Sequence, residues 1–266
     1  MSMSKVYPTA LDDVIYPDSD GEPMAENFLQ SIVIRMLVSG FERVFKGRDD
    51  MLVGGDFFWY PVAGQLATVV AADAMVIVDL PEPFDIFTNG SYRQWEHGGH
   101  PALVVEVLSP SNTWSEMTRK QRFYDQHGVD EYWVYEPRDG TFEVWVRQAG
   151  RLVAVESPAD GWVSPTTGVH VRVEGIELIV HDSDGIRRWL TTAEEGALLD
   201  VETARANEAT ERAHVEAARA NEATERAHAE IARANEATGR AHAEAARADA
   251  LQARLDALEP AAARDL

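Results

Sequence analysis

The sequence predicts an α/β fold of the α+β kind, in which a mixed β-sheet flanked by helices is followed by a long C-terminal helix. Three observations predict it. Up to about residue 192, elements with helical and strand periodicity follow one another in the order helix, strands, helix, strands, as a mixed sheet with packed helices requires. Hydrophobic residues make up 45% of the chain, enough for a packed core. Beyond residue 199 the composition changes to alanine, glutamate and arginine in three consecutive fourteen-residue repeats.

Taken in order, residues 1–22 are rich in Pro, Asp and Ser and read as an N-terminal arm. The α/β domain is placed at residues 23–192. From Glu26 to about Phe45, Leu29, Ile32, Val33, Met36, Leu37 and Phe41 recur at spacings of three and four, which predicts a helix. Six runs rich in β-branched and aromatic residues follow as strands: MLVGGDFFWYPV, ATVVAADAMVIV, PALVVEVL, EYWVYE, TFEVWV and RLVAVE. The PRDG turn between Tyr135 and Phe142 joins two of them as a hairpin. One helix interrupts the series at about Thr113–His127, with Ser111 or Asn112 as its cap and Gly128 as its stop.

Residues 193–259 read as one repeat-containing helix or coiled coil, and 260–266 as a short tail. Fourteen residues are two heptads, so one stripe stays in register: Ala206, Ala209, Ala213 and so on to Ile231, then alanine until Leu251, Leu255 and Leu258. Glu208–Arg212, Glu222–Arg226 and Glu236–Arg240 form i,i+4 pairs in the favourable orientation. Alanine in place of leucine forgoes about 2.4 kcal/mol per seam position at ~0.8 per CH₂, so a solitary charge-laddered helix is the alternative to a coiled coil. The recurring His214, His228 and His242 lie about 21 Å apart along a helix, too far for one metal site.

Composition narrows the function. The absence of cysteine excludes disulfides and thiolate metal sites. There is no run of eighteen apolar residues, and the opening MSMSKVYPTALDDV lacks a secretory h-region, so a cytoplasmic protein is expected. The net charge is −21, of which −5 lies in residues 200–266 and −16 in the rest. A protein that held nucleic acid mainly by phosphate neutralisation would carry the opposite sign. Any nucleic-acid chemistry must therefore rest on a local site with bound cations.

Two of the apolar runs contain an acid. ATVVAADAMVIV is broken only by Thr68 and Asp73, and ALVVEVL only by Glu106. Runs of this kind form strands buried on both faces, where a carboxylate must be paired, hydrogen-bonded or metal-bound. A buried salt bridge or a strand-end position is the plain reading of either residue alone. Two on consecutive strands point to a shared site. On the following helix Trp114, Met117 and Tyr124 define the inward stripe, and Arg119 and Arg122 face away. Lys120 falls on the apolar side, where it either snorkels to water or brings an ammonium to the two acids. Carboxylates that hold Mg²⁺ and a lysine that steadies developing charge are the groups of metal-assisted phosphodiester hydrolysis.

The stretch LVVEVLSPSN, followed by RKQRFYDQHGVDEYWVYEP, resembles the signature of the Uma-two family of the PD-(D/E)XK nuclease superfamily. YPDSDGEPMAEN and GGDFFWYPV resemble one branch of it, and the resemblance spans roughly residues 16–190. It implies a restriction-endonuclease-like core in which Asp73 and Glu106 are the metal-binding acids. Ala72 stands where the motif has Pro, and Leu108 where it has Lys. The resemblance implies that the lysine migrates to the next helix, at Lys120. It also makes Glu26 a possible extra carboxylate, against the plain reading of an exposed first-turn acid. Asp56 either approaches the site or sits on a strand edge.

Other patterns are rejected. The DSDGE string fails as a calcium loop because Leu29 stands where the loop needs Glu, and His97 and His100 lack a third ligand. The reading is thus an endonuclease dependent on Mg²⁺ or Mn²⁺, with Asp73, Glu106 and Lys120 as its catalytic residues and nucleic acid, DNA first, as substrate. Residues 200–259 are expected to bind a second copy or a partner helix, and no membrane contact is expected. The alternative is a non-catalytic scaffold that keeps the nuclease fold while the tail carries the function.

Overall fold

The computed structural model describes residues 28–262. The expected arm and Glu26 lie outside the described residues, as do the side chain of Trp114 and residues 263–266. The chain divides into two units, residues 1–196 and 197–266.

The first unit is built on a six-stranded mixed sheet with strand order β1-β4-β6-β7-β8-β9. Its strands are β1 (Leu52–Gly54), β4 (Ala74–Val78), β6 (His100–Val107), β7 (Glu131–Glu136), β8 (Thr141–Gln148) and β9 (Arg151–Ala154). All neighbours are antiparallel except β6 and β7, which run parallel. A parallel pair needs a crossover, and helix α3 (Trp114–Gln126) supplies it. The β7–β8 hairpin turns through Pro137–Gly140, as the PRDG signal predicts, with Gly140 at φ 76°.

Alternation along the strands sorts the core into two layers. Ala74, Val76, Leu103, Val105, Val107, Trp133 and Tyr135 meet helix α1 (Phe28–Val44) through Val33, Met36, Leu37 and Phe41. The same layer takes in Trp189 and a three-stranded sheet of β10 (Trp162–Val163), β11 (His170–Glu174) and β12 (Glu177–His181). Met75, Ile77, Val104, Tyr132 and Val134 face the other way, onto Tyr124 of α3 and Trp59. Trp59 lies on β2 (Phe58–Tyr60), which forms a second small sheet with β3 (Val70–Ala71) and β5 (Ser91–Arg93).

Three expectations need correction. MLVGGDFFWYPV is not one strand: it breaks at Gly55–Asp56, where the chain passes from the large sheet (β1) to the small one (β2). ATVVAADAMVIV breaks likewise, and Asp73 sits in the link between β3 and β4 rather than inside a strand. The two breaks lie side by side. Asp56 N–H donates to the Ala72 carbonyl at 2.8 Å, and a Cβ on Gly55 would stand 2.1 Å from the Asp73 oxygen. The cap of α3 is Thr113, not Ser111 or Asn112, because its hydroxyl accepts from Glu116 N–H at 3.2 Å. Asn112 is used instead to accept from Ser109 N–H. Gly128, at φ 86°, follows the last turn as expected.

The C-terminal helix, α4, spans Thr192–Ala262 without a break, one residue earlier and three later than expected. Its start is a capping box. The Thr191 hydroxyl accepts from Glu194 N–H at 3.3 Å, and the Glu194 carboxylate accepts from Thr191 N–H at 2.8 Å. In the second unit the three expected i,i+4 pairs form at 3.1, 2.5 and 3.8 Å. They are exposed and add only tenths of a kcal/mol each. Ile231, Leu251 and Leu255 are exposed on this helix.

Candidate active site

Register brings the two singled-out acids together. In the β4–β6 pair Ala74 opposes Val105 and Met75 opposes Val104, so one step beyond β4 Asp73 stands across from Glu106. Asp73 Oδ2 accepts from Val107 N–H at 2.6 Å, continuing the ladder with a side chain. Glu106 sits between Val105 and Val107, which face α1, and so points to the α3 layer.

There it meets the helix. Thirteen residues of α3 carry Met117 and Tyr124 to the core and leave Arg119 and Arg122 exposed, as the helical phase predicts. Lys120 falls between these faces, and its Nζ donates to Glu106 Oε2 at 2.7 Å. The side chain of Lys120 is 20% exposed and that of Glu106 3%, so the pair is nearly dry and strongly coupled. The lysine that reaches Glu106 thus comes from the helix, while Leu108 is the residue at the strand end. The other oxygen of Glu106 accepts from the Tyr124 hydroxyl.

These contacts set the electrostatics. Burial and the charge of Glu106 push the Asp73 carboxyl up to about 8, against the pull of Val107 N–H and Lys120; Asp56 adds a further push. For Lys120, burial disfavours the charge, but Glu106 and Asp73 outweigh it and the ammonium is held more tightly than usual. Burial and Glu106 both keep Tyr124 protonated far above its ordinary range.

A cavity of about 220 Å³ opens on the α1 side, lined by Ser31, Arg35, Ser39, Gly55, Asp56 and Asp73 among others. Asp56 is brought beside Asp73 here by the paired breaks in the two runs, and it holds a left-handed φ of 56°. Glu26 is not among the described residues. Among the described residues no group of three or more His, Asp or Glu side chains is arranged to hold a metal ion. His100 pairs with Asp130 at 2.9 Å and His97 packs on Phe84, so the HGGHP histidines form no ligand set.

Two residues of the site do not stand out in the sequence. Tyr124 reads as an ordinary member of an apolar stripe. Gln30, buried on α1, donates to the Val107 carbonyl at 2.8 Å and ties the helix to the strand end that holds Asp73. Its clue is a polar residue at a core-facing helical spacing from Val33 and Leu37. A third buried acid, Glu131, behaves differently. It accepts from the indoles of Trp133 and Trp162 and the hydroxyls of Ser164 and Thr166, all neutral, and closes the β10–β12 sheet onto β7. Asp73 and Glu106, by contrast, are acids that face each other.

A solved structure of a putative nuclease belonging to DUF820 from Anabaena variabilis is similar to this chain, with 16% identity, a TM-score of 0.42, and coverage of 64% of this chain and 96% of that one. No curated protein matches the chain. Residues 16–174 match the family model of Uma2, described as putative restriction endonuclease; that is more than half of the sequence, and the chain belongs to this family.

Proposed function

We propose that the first unit is a metal-dependent endonuclease hydrolysing phosphodiester bonds, with Asp73, Glu106 and Lys120 as its active site. The observation that carries this reading is the meeting of two opposed carboxylates and a lysine at one sheet end, in a chain whose family is described as putative restriction endonuclease. Asp73 and Glu106 fit Mg²⁺ or Mn²⁺ in donor type, because both are hard oxygen ligands and their mutual repulsion is what a cation relieves. Such sites need only one or two carboxylates, with water and substrate phosphate completing the shell. Asp56 is the accessory acid nearest to hand.

A bound ion would polarise the phosphate and make its water a stronger nucleophile. Glu106 is oriented for this by Tyr124 and Lys120, and Asp73 by the Val107 N–H. Lys120, kept charged by its neighbours, stabilises the negative charge that grows on the phosphate oxygens. Gln30 fixes the strand end without touching the chemistry. The −16 charge of residues 1–199 makes cleavage depend on cations in two ways, at the site and along the phosphates.

The same charge, together with the capping of both Glu106 oxygens, favours the second reading, a scaffold with a buried ion pair in place of a working site. Incubating DNA with the wild type and Asp73→Ala, with and without Mg²⁺, separates the two. The enzyme cuts only as wild type with Mg²⁺; equal nicking by the variant, or none by either, supports the scaffold. Residues 200–259 serve as an oligomerisation or partner-binding helix, a role supported by the exposed Ile231, Leu251 and Leu255.

A further inference from the structure

A second cavity, of about 290 Å³, opens on the α3 side of the large sheet. Its apolar walls include Leu108, two residues beyond Glu106, with Met117 on α3 and Trp145 on β8. Three of the polar side chains that also line it are Gln121, Tyr132 and Glu143, alongside the Glu136–Arg138 ion pair and Asp139. Among the described residues none of the three makes a side-chain hydrogen bond or ion pair. For Tyr132 this is notable, because the residue is 1% exposed and its hydroxyl is buried without a partner. Native interiors pair such groups, so an unpaired hydroxyl on a residue that lines the cavity points to a ligand that completes it. The Tyr132 ring packs against Tyr124 and Trp145 at centroid distances of 5.0 and 5.2 Å. Since Tyr124 also donates to Glu106, a chain of ring contacts joins the cavity to the candidate active site.

We propose that this cavity receives a nucleobase of the substrate strand, beside the phosphate at Asp73, Glu106 and Lys120, and prefers bases carrying an exocyclic amino group. The inference rests on the nuclease reading and names a specificity element for it. Apolar and aromatic walls with a few convergent polar groups suit a flat heterocycle. Glu143 can only accept, and it takes N–H from the amino groups of cytosine, adenine or guanine. Thymine offers it a single N–H flanked by two carbonyl oxygens, which a carboxylate repels. The Gln121 amide can both donate and accept, and Tyr132 supplies a hydroxyl for the remaining base heteroatom.

Calorimetric titration of the full chain with the four deoxynucleoside 5′-monophosphates, without divalent ions, tests this. The cytidine, adenosine and guanosine nucleotides should bind about tenfold more tightly than the thymidine nucleotide, the lower range of one good base contact. Glu143→Gln should bring the four within about threefold of one another, while Tyr132→Phe should weaken binding without lowering the melting temperature, since its hydroxyl has no protein partner. The proposal is overturned if no nucleotide binds saturably, if thymidine nucleotide binds equally well, or if Glu143→Gln leaves the ranking unchanged. Any of these with Mg²⁺-dependent cleavage intact removes the base pocket and leaves the nuclease reading. The expected ranking in a protein that cuts nothing keeps the pocket and removes the nuclease reading.

Discussion

Replacing Lys120 with methionine keeps most of the stem's packing and deletes the ammonium that Glu106 accepts. If that charge acts mainly on the transition state, kcat falls while ground-state binding stays close to wild type. Lys120→Met should therefore lower the single-turnover cleavage rate by about 10²-fold or more, the scale of losing one electrostatic stabiliser, with little change in metal affinity. Arg119→Met, one residue away on the exposed face, is the control and should cut at close to the wild-type rate. The reverse pattern would mean that the catalytic cation has been misassigned. Asp73 is the other residue with a measurable signature. Its carboxyl binds a proton more tightly in the folded chain than at its ordinary value of 3.8, with a folded pKa of about 8. A group raised in this way contributes stability that is full below the unfolded value and is lost as pH rises through the folded one. Without divalent ions the protein should thus weaken from pH 4 towards pH 8 on account of Asp73.

At the scale of elements, the site depends on two chain breaks that lie against each other. Gly55 has no room for a Cβ, which would stand 2.1 Å from the Asp73 oxygen. Gly55→Ala must push the β3–β4 link aside, an overpacking cost of about 1–3 kcal/mol, and it moves Asp73 with it. Thr113→Ala removes the α3 cap for about 1 kcal/mol and leaves that link alone. Gly55→Ala should accordingly lose cleavage out of proportion to its change in melting temperature, as Thr113→Ala should not; parallel losses in both would show that the link does not position the acid. These breaks coincide with Gly54-Gly55-Asp56 and with Asp73, but strand-forming residues on both sides of each made either run read as one strand. Helices α1, α3 and α4, the β7–β8 hairpin and strands β6 to β9 were legible, since each carries its own periodicity or turn signal. The β10–β12 sheet was not, as its strands are two to five residues long, HVRVE is interrupted by Arg172 and ELIVH leaves a run of only three apolar residues. Asp73, Glu106 and Lys120 stood out as charges in apolar surroundings. Tyr124 and Gln30 did not, because their partners lie 18 and 77 residues away along the chain.

For the whole molecule, the acidic first unit and the charge-laddered α4 set separate expectations. No helix among the described residues is long and apolar enough to cross a membrane. Exposed Ile231, Leu251 and Leu255, which fall on the Ala/Leu stripe of α4, are the basis for proposing association through residues 200–259. Cutting the chain at Asp200 should leave a folded domain with fewer copies per particle by light scattering, and an unchanged copy number would instead support a solitary helix. The central claim, that Asp73 and Glu106 hold one divalent ion, is tested most directly by melting temperature. Wild type and Asp73→Asn should be compared from pH 5 to pH 8, with and without Mg²⁺. Without the ion, the variant should gain on wild type as pH rises, because it no longer carries a carboxylate forced to ionise beside Glu106. Mg²⁺, binding the native state alone, should raise wild type and leave the variant nearly unmoved. An equal rise in both proteins, with a gap that does not change with pH, would place the cations elsewhere on the acidic surface and contradict the account.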